Sequence, residues 1–79
     1  MRLMVVEDNR TNLLVLKGIL QKFEGCDVEA FLDPVEAAER AEAEPFDLII
    51  VDYIMPDLDG RQFIIRLRRH ERYRHVPIV

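Results

Sequence analysis

The run LIIVDYIMPDLDG, Leu48 to Gly60, constrains the fold more than any other stretch of the chain. Four apolar residues have the length of a short buried strand, and they end on a carboxylate, Asp52, with a Pro/Asp/Gly turn immediately behind it. A second apolar run, Leu3-Met4-Val5-Val6, ends on another acidic site, Glu7-Asp8. Three carboxylates at the ends of two buried strands open the way to metal and phosphate chemistry.

With 79 residues, the chain supplies one domain at most. A chain of this size buries only about 60% of the surface that its unfolded form exposes, so stability should be marginal. About half the residues are apolar (49%), which predicts a packed core rather than disorder. The single cysteine, Cys26, has no internal partner for a disulfide, and this favours a reducing compartment. No segment has the roughly 18 to 20 apolar residues of a membrane span, and the N-terminus lacks a signal-like apolar stretch. These features predict a cytoplasmic location and no membrane partner.

The net charge of −4 conceals an asymmetry. Residues 1–60 carry 14 acids against 5 basic residues, a balance of −9, whereas residues 61–79 carry six arginines against Glu71, a balance of +5. The arginine-rich end reads as a solvated helix face, with an acidic partner surface as the alternative. Direct nucleic-acid binding by this segment is not expected, because the acidic whole opposes phosphate.

Strand-like and helix-like runs alternate without repeats or linkers. Arg2 to Val6 reads as a buried strand. A helix is predicted from about Asn9–Thr11 to Phe23, with Leu13, Leu16, Leu20 and Phe23 on one stripe and Gly25 ending it. Asp27 to Phe31 forms a second strand. Asp33-Pro34-Val35-Glu36 combines an N-cap, a proline at the first helical position and a glutamate completing a capping box, so a helix from Pro34 to about Glu44 follows. Its Ala and Glu content makes it the weakest expected packing element. Leu48 to Val51 is the third strand; a third helix from about Gly60 to Arg69 buries Phe63, Ile64 and Leu67, and Val76 to Val79 opens a fourth strand.

The order βαβαβαβ calls for an α/β fold, a doubly wound parallel sheet with right-handed crossovers and helices on both faces. Where the second and third strands flank the first, ligands bind outside the carboxyl ends of the first and third strands, at the topological switch point. Glu7, Asp8 and Asp52 occupy those ends in the sequence. Clustered carboxylates repel one another, and a divalent cation would compensate them. Oxygen ligands suit Mg²⁺, which typically uses one or two carboxylates plus a substrate phosphate. Asp52, projecting from the central strand, is the better candidate to attack a phosphoryl group in line, with the acidic pair holding the metal.

Acidic residues at strand ends are also common in ordinary turns. A nucleotide hydrolase would need a glycine-rich phosphate loop ending in Lys and Ser/Thr, and none exists here. Phosphatases with an aspartate nucleophile use two aspartates two residues apart after the first strand, whereas Glu7 and Asp8 are adjacent and followed by Asn9.

VVEDNRTN at Val5 to Asn12, DYIMPDLDG at Asp52 to Gly60 and HVPIV at His75 to Val79 together resemble the receiver domains of two-component response regulators. The resemblance spans the chain and implies an incomplete flavodoxin-like receiver fold over residues 1–79. It implies that Asp52 is the phosphoacceptor for a sensor histidine kinase or phosphotransfer protein. Glu7 and Asp8 become the acidic pair, and the Ile54 backbone carbonyl a further Mg²⁺ contact. Pro56 and Gly60 match the residues that shape the loop behind the acceptor. It further implies a signalling module rather than an enzyme. Family members continue the fourth strand into a Thr or Ser and carry a Lys at the end of a fifth strand, so the chain is expected to be the amino-terminal part of such a domain. The alternative is a receiver-like module that binds a partner without phosphate control. Leu14, Val15 and Ile19 extend the apolar surface of the first helix, and Val76, Ile78 and Val79 form an edge interrupted only by Pro77, so self-association through the fourth strand or the exposed helix face, or else a loosely packed state, is expected.

Overall fold

In the computed structural model, residues 1–51 and 60–79 are described. Their elements run β1 (Arg2–Val6), α1 (Arg10–Leu20), β2 (Asp27–Phe31), α2 (Pro34–Ala43), β3 (Leu48–Val51) and α3 (Gly60–Arg68), followed by a 3₁₀ turn at Glu71–Tyr73. The sheet is parallel in the order β2-β1-β3, the doubly wound arrangement expected from the sequence. Asp52, Ile54 and Pro56, and with them the turn behind the third strand, lie outside the described residues.

Strand alternation divides the core into two layers. Met4, Val6, Ile49 and Val51 face α2 and α3, where Ala37, Ala38, Ala41, Phe46, Phe63, Leu67 and Tyr73 complete one cluster. Leu3, Val5 and Val28 face α1 on the other side, packed with Leu13 and flanked by Leu16, Leu20, Leu48 and Ile50.

Several boundaries depart from the sequence expectation. Helix α1 stops at Leu20 rather than Phe23, because the chain tightens into turns in which Lys22 N–H donates to Ile19 O and Phe23 N–H to Leu20 O. Phe23 therefore leaves the apolar stripe and is 59% exposed. Gly25 does punctuate the connection, at φ +76°, a left-handed conformation that glycine adopts without a Cβ penalty. In α2 the Asp33 carboxylate accepts from Val35 N–H at 3.0 Å, so it caps the helix, though through Val35 and not the Glu36 position of a capping box.

Helix α2 is also not the weakest packing element. It buries Pro34, Ala37, Ala38 and Ala41, whereas α1 buries Leu13 alone. The small alanines let the helix approach the sheet closely, and large neighbours such as Phe46, Phe63 and Tyr73 fill the volume that longer side chains would have occupied.

The fourth strand is reduced to an isolated parallel bridge between Ile49 and Ile78. Ile49 N–H donates to Pro77 O at 3.1 Å, Val79 N–H to Ile49 O at 2.9 Å and Val51 N–H to Val79 O at 3.0 Å. Extending this ladder backwards would need a donor at residue 77, and proline has none.

The arginine-rich end is only partly a solvated face. Arg66 forms a forked pair with Glu42 of α2, Nε to Oε2 at 3.0 Å and Nη2 to Oε1 at 2.7 Å. Arg68 Nη1 donates to the carbonyls of Tyr73 and Val76 at 2.6 and 2.7 Å. Among the described residues, no helix is long and apolar enough to cross a membrane.

Candidate functional site at the carboxyl ends of the strands

The strand register sets the site. Val6 of β1 pairs with Val51 of β3, so the two central strands reach the same edge of the sheet together. Glu7 is the residue after Val6, and Asp52 the residue after Val51. Both strands are apolar up to that edge, and in β1 the change to polar residues immediately after it places Glu7 at the rim of the core.

Glu7 is buried, at 7% exposure, a rare environment for a carboxylate. Its N–H donates to Phe31 O at 3.0 Å, extending the β1–β2 ladder by one bond. Its Oε1 accepts from Asn12 Nδ2 at 3.1 Å. Asp8, next in sequence, is exposed.

Asn12 is a site residue to which the sequence reading gave no separate role. It belongs to the first turn of α1, which Asn9 caps by accepting from Asn12 N–H at 3.0 Å. The cap fixes the start of the helix, and the helix start places the Asn12 amide against Glu7. The spacing Glu7, Asn9, Asn12 was the available signal: a cap three residues before a second amide, directly after the strand acid.

An open cavity of about 540 Å³ lies at this edge, lined by Val6, Glu7, Asn12, Val15, Leu16, Ile50 and Val51. It occupies the end of the sheet where a doubly wound fold binds its ligands. Of the four residues expected around a metal, Glu7 and Asp8 are brought to this edge, while Asp52 and Ile54 lie outside the described residues. Among the described residues, no group of three or more acidic, His or Cys side chains could hold a metal ion. The donors that are described are oxygens, one of them a buried carboxylate, and this chemistry fits a hard cation such as Mg²⁺.

Residues 3–79 match the response regulator receiver domain. The chain is 38% identical over 81 residues to the sensor histidine kinase GacS of Pseudomonas protegens, covering 99% of this chain and 9% of that protein. It is 34% identical over 80 residues to the probable transcriptional regulator ycf29 of Porphyra purpurea, covering 98% of this chain and 36% of that one. Among solved structures, the chemotaxis protein CheY4 of Vibrio cholerae superposes with a TM-score of 0.90 at 31% identity, over 98% of this chain and 63% of that chain. The receiver domain of sensor histidine kinase PA1611 from Pseudomonas aeruginosa PAO1, whose structure has magnesium coordinated in the active-site cleft, gives 0.89 at 34% identity over 98% and 62%. The chain thus spans a minor part of these curated relatives and somewhat under two thirds of the solved receivers. A parallel sheet of this order, an acidic pair at the carboxyl end of β1 and a family match over nearly every residue agree: the chain belongs to the response regulator receiver domain family, a family of signalling modules rather than enzymes.

Proposed function

We propose that residues 1–79 act as one receiver segment whose Asp52 accepts a phosphoryl group from a sensor histidine kinase or phosphotransfer protein in the cytoplasm. The observation that carries this reading is the register of Val6 against Val51, which brings the residue before Glu7 and the residue before Asp52 to one edge of the sheet. Glu7, Asp8, Asp52 and the Ile54 backbone carbonyl are the groups that would hold Mg²⁺. When bound, the cation would supply positive charge against the oxygens of the transferred group.

The chain's own residues divide the remaining work. A carboxylate oxygen of Asp52 forms the new O–P bond as the N–P bond to the donor imidazole breaks, and the leaving nitrogen keeps the electron pair. Asn12 holds Glu7 in place through its side-chain amide. The apolar rim of Val6, Ile50 and Val51 lowers the local polarity, which strengthens electrostatic contacts to the phosphoryl group. Ile54 offers no polar group to orient an attacking water, so the acyl phosphate should be long-lived. Self-association is part of the same reading, supported by the exposed α1 side chains Leu14, Val15 and Ile19.

The test uses the full-length protein with a small phosphodonor and Mg²⁺. One acid-labile, hydroxylamine-sensitive phosphoryl group should be gained, Asp52→Asn should prevent it, and Asp8→Ala should abolish Mg²⁺ binding. Ile54→Asn should speed dephosphorylation. Labelling that persists in Asp52→Asn would move the acceptor elsewhere, and an unchanged decay rate would remove Ile54 from the account.

A further inference from the structure

The turn joining α3 to the Ile78 bridge concentrates cationic side chains in a held conformation. Residues 68–75 read RRHERYRH, four arginines and two histidines with Glu71 as the sole acid. Three anchors fix this turn. Tyr73 is fully buried, and its hydroxyl lies 2.6 Å from Ala41 O and 2.7 Å from Glu44 O, both at the end of α2. The Arg68 guanidinium bridges the carbonyls of Tyr73 and Val76. His70 Nε2 lies 2.8 Å from Glu42 Oε2, on the same carboxylate that Arg66 grips.

Elsewhere, arginines that lie against the fold have carboxylate partners. Arg2 and Arg40 share Glu29 and Glu44, and Arg66 has Glu42. Arg69, Arg72 and Arg74 are exposed, and among the described residues none forms an ion pair, although the Arg72 side chain also reaches the Tyr73 hydroxyl. Seven residues, 69–75, therefore present three guanidinium groups on a backbone anchored from beneath. Guanidinium forks match carboxylates two bonds at a time, and a preformed array loses less freedom on binding than a mobile one.

We propose that this turn is a docking surface for a short acidic segment of a partner protein. Ile78 pairs in parallel with Ile49, near the start of β3, so the turn lies towards the amino-terminal edge of the sheet, opposite the edge that Glu7 occupies. A partner seated there leaves the acidic rim open. The balance of −9 over residues 1–60 opposes a long polyanion such as nucleic acid, which would run beyond the turn onto acidic surface. A short acidic segment meets mainly the local cations, because solvent ions screen the rest beyond roughly 8 Å at physiological salt.

The experiment measures fluorescence anisotropy of a labelled decapeptide of glutamates, and of a single-stranded DNA of equal charge, titrated with the full 79-residue chain at low and high salt. The peptide should bind at low salt and release at high salt. The triple variant Arg69→Gln/Arg72→Gln/Arg74→Gln should weaken it at least tenfold, and Arg10→Gln/Lys17→Gln/Lys22→Gln should leave it within twofold. Glu71→Gln should tighten binding two- to threefold, a gain that misfolding cannot mimic. If the triple variant loses its near-ultraviolet circular dichroism, the three single variants replace it, each expected to weaken binding two- to threefold. Absence of peptide binding, equal loss in the α1 variant, or no gain from Glu71→Gln would overturn the assignment. Tighter binding of DNA than of peptide would overturn the choice of partner.

Discussion

Tyr73→Phe removes one oxygen atom and leaves the ring that fills the core. That oxygen contacts Ala41 O at 2.6 Å and Glu44 O at 2.7 Å. Ala41 is among the last four residues of α2, whose carbonyls have no partner within the helix, so the hydroxyl acts as a remote C-terminal cap. Phenylalanine would remove the one hydroxyl proton that these two carbonyls share, at a cost of about 1–3 kcal/mol. A domain of this size has a total stability near the low end of about 5–15 kcal/mol, so the loss is a large fraction of the whole. With a urea slope of about 1 kcal/mol per M, the unfolding midpoint should fall by about 1–3 M. Tyr73→Ala adds a cavity and should cost about 3–5 kcal/mol, most of the stability of a domain this size. Urea titration followed by far-ultraviolet circular dichroism reads both. A Tyr73→Phe midpoint within about 0.2 M of the parent would refute the capping argument. Alkali gives an independent check. Burial raises the phenol's pKa above its ordinary value, so the folded state favours the neutral form. Its contribution is complete below about pH 10 and is lost as pH rises through the folded-state value. The parent should therefore lose stability in alkali faster than Tyr73→Phe.

Two further outcomes follow from the surface. The Arg66 guanidinium, with His70 beside it, holds the Glu42 carboxyl down to about 2, so its stabilisation is present above the unfolded value near 4.5 and lost as pH falls towards 2. Glu42→Gln should destabilise by about 0.5–1.5 kcal/mol at pH 7, and its midpoint should converge with the parent's as pH approaches 2; a constant gap across that window would contradict the pairing. Leu14, Val15, Ile19 and Phe23 are each half or more exposed, on the order of 400 Å² of apolar surface and about 10 kcal/mol of unrealised burial. Light scattering across a dilution series should show mass rising with concentration, Leu14→Gln/Ile19→Gln should suppress the rise, and a parent that stays monomeric would dispose of the prediction.

Elements whose signal is local were legible in the sequence. The three named strands have the predicted limits, because each is an uninterrupted apolar or alternating run with an acid within two residues after its carboxyl end. Packing weight was misjudged for α2, since an Ala/Glu helix looks poor by hydrophobic count and the count ignores how closely small side chains let two elements approach. Tyr73 was missed for a related reason. It stands among arginines and histidines, so composition reads the stretch as solvated, and only the distant carbonyls of Ala41 and Glu44 give its hydroxyl a buried partner.

The same distinction holds at the acidic rim. Glu7 and Asp8 were found as a pair, yet the fold treats them oppositely: Glu7 is drawn into the core edge and bonded by Asn12, while Asp8 points to solvent. Adjacent residues leaving a strand alternate in direction, so one of two neighbouring acids turns inward. An inward carboxylate is costly unless its charge is used, and Glu7 has an amide donor beside it and a cavity in front. Replacing Asn12 by Leu should therefore weaken Mg²⁺ affinity through Glu7 alone, without altering Asp8 or Asp52. An affinity unchanged in Asn12→Leu would show that the amide caps the carboxylate only as a structural partner.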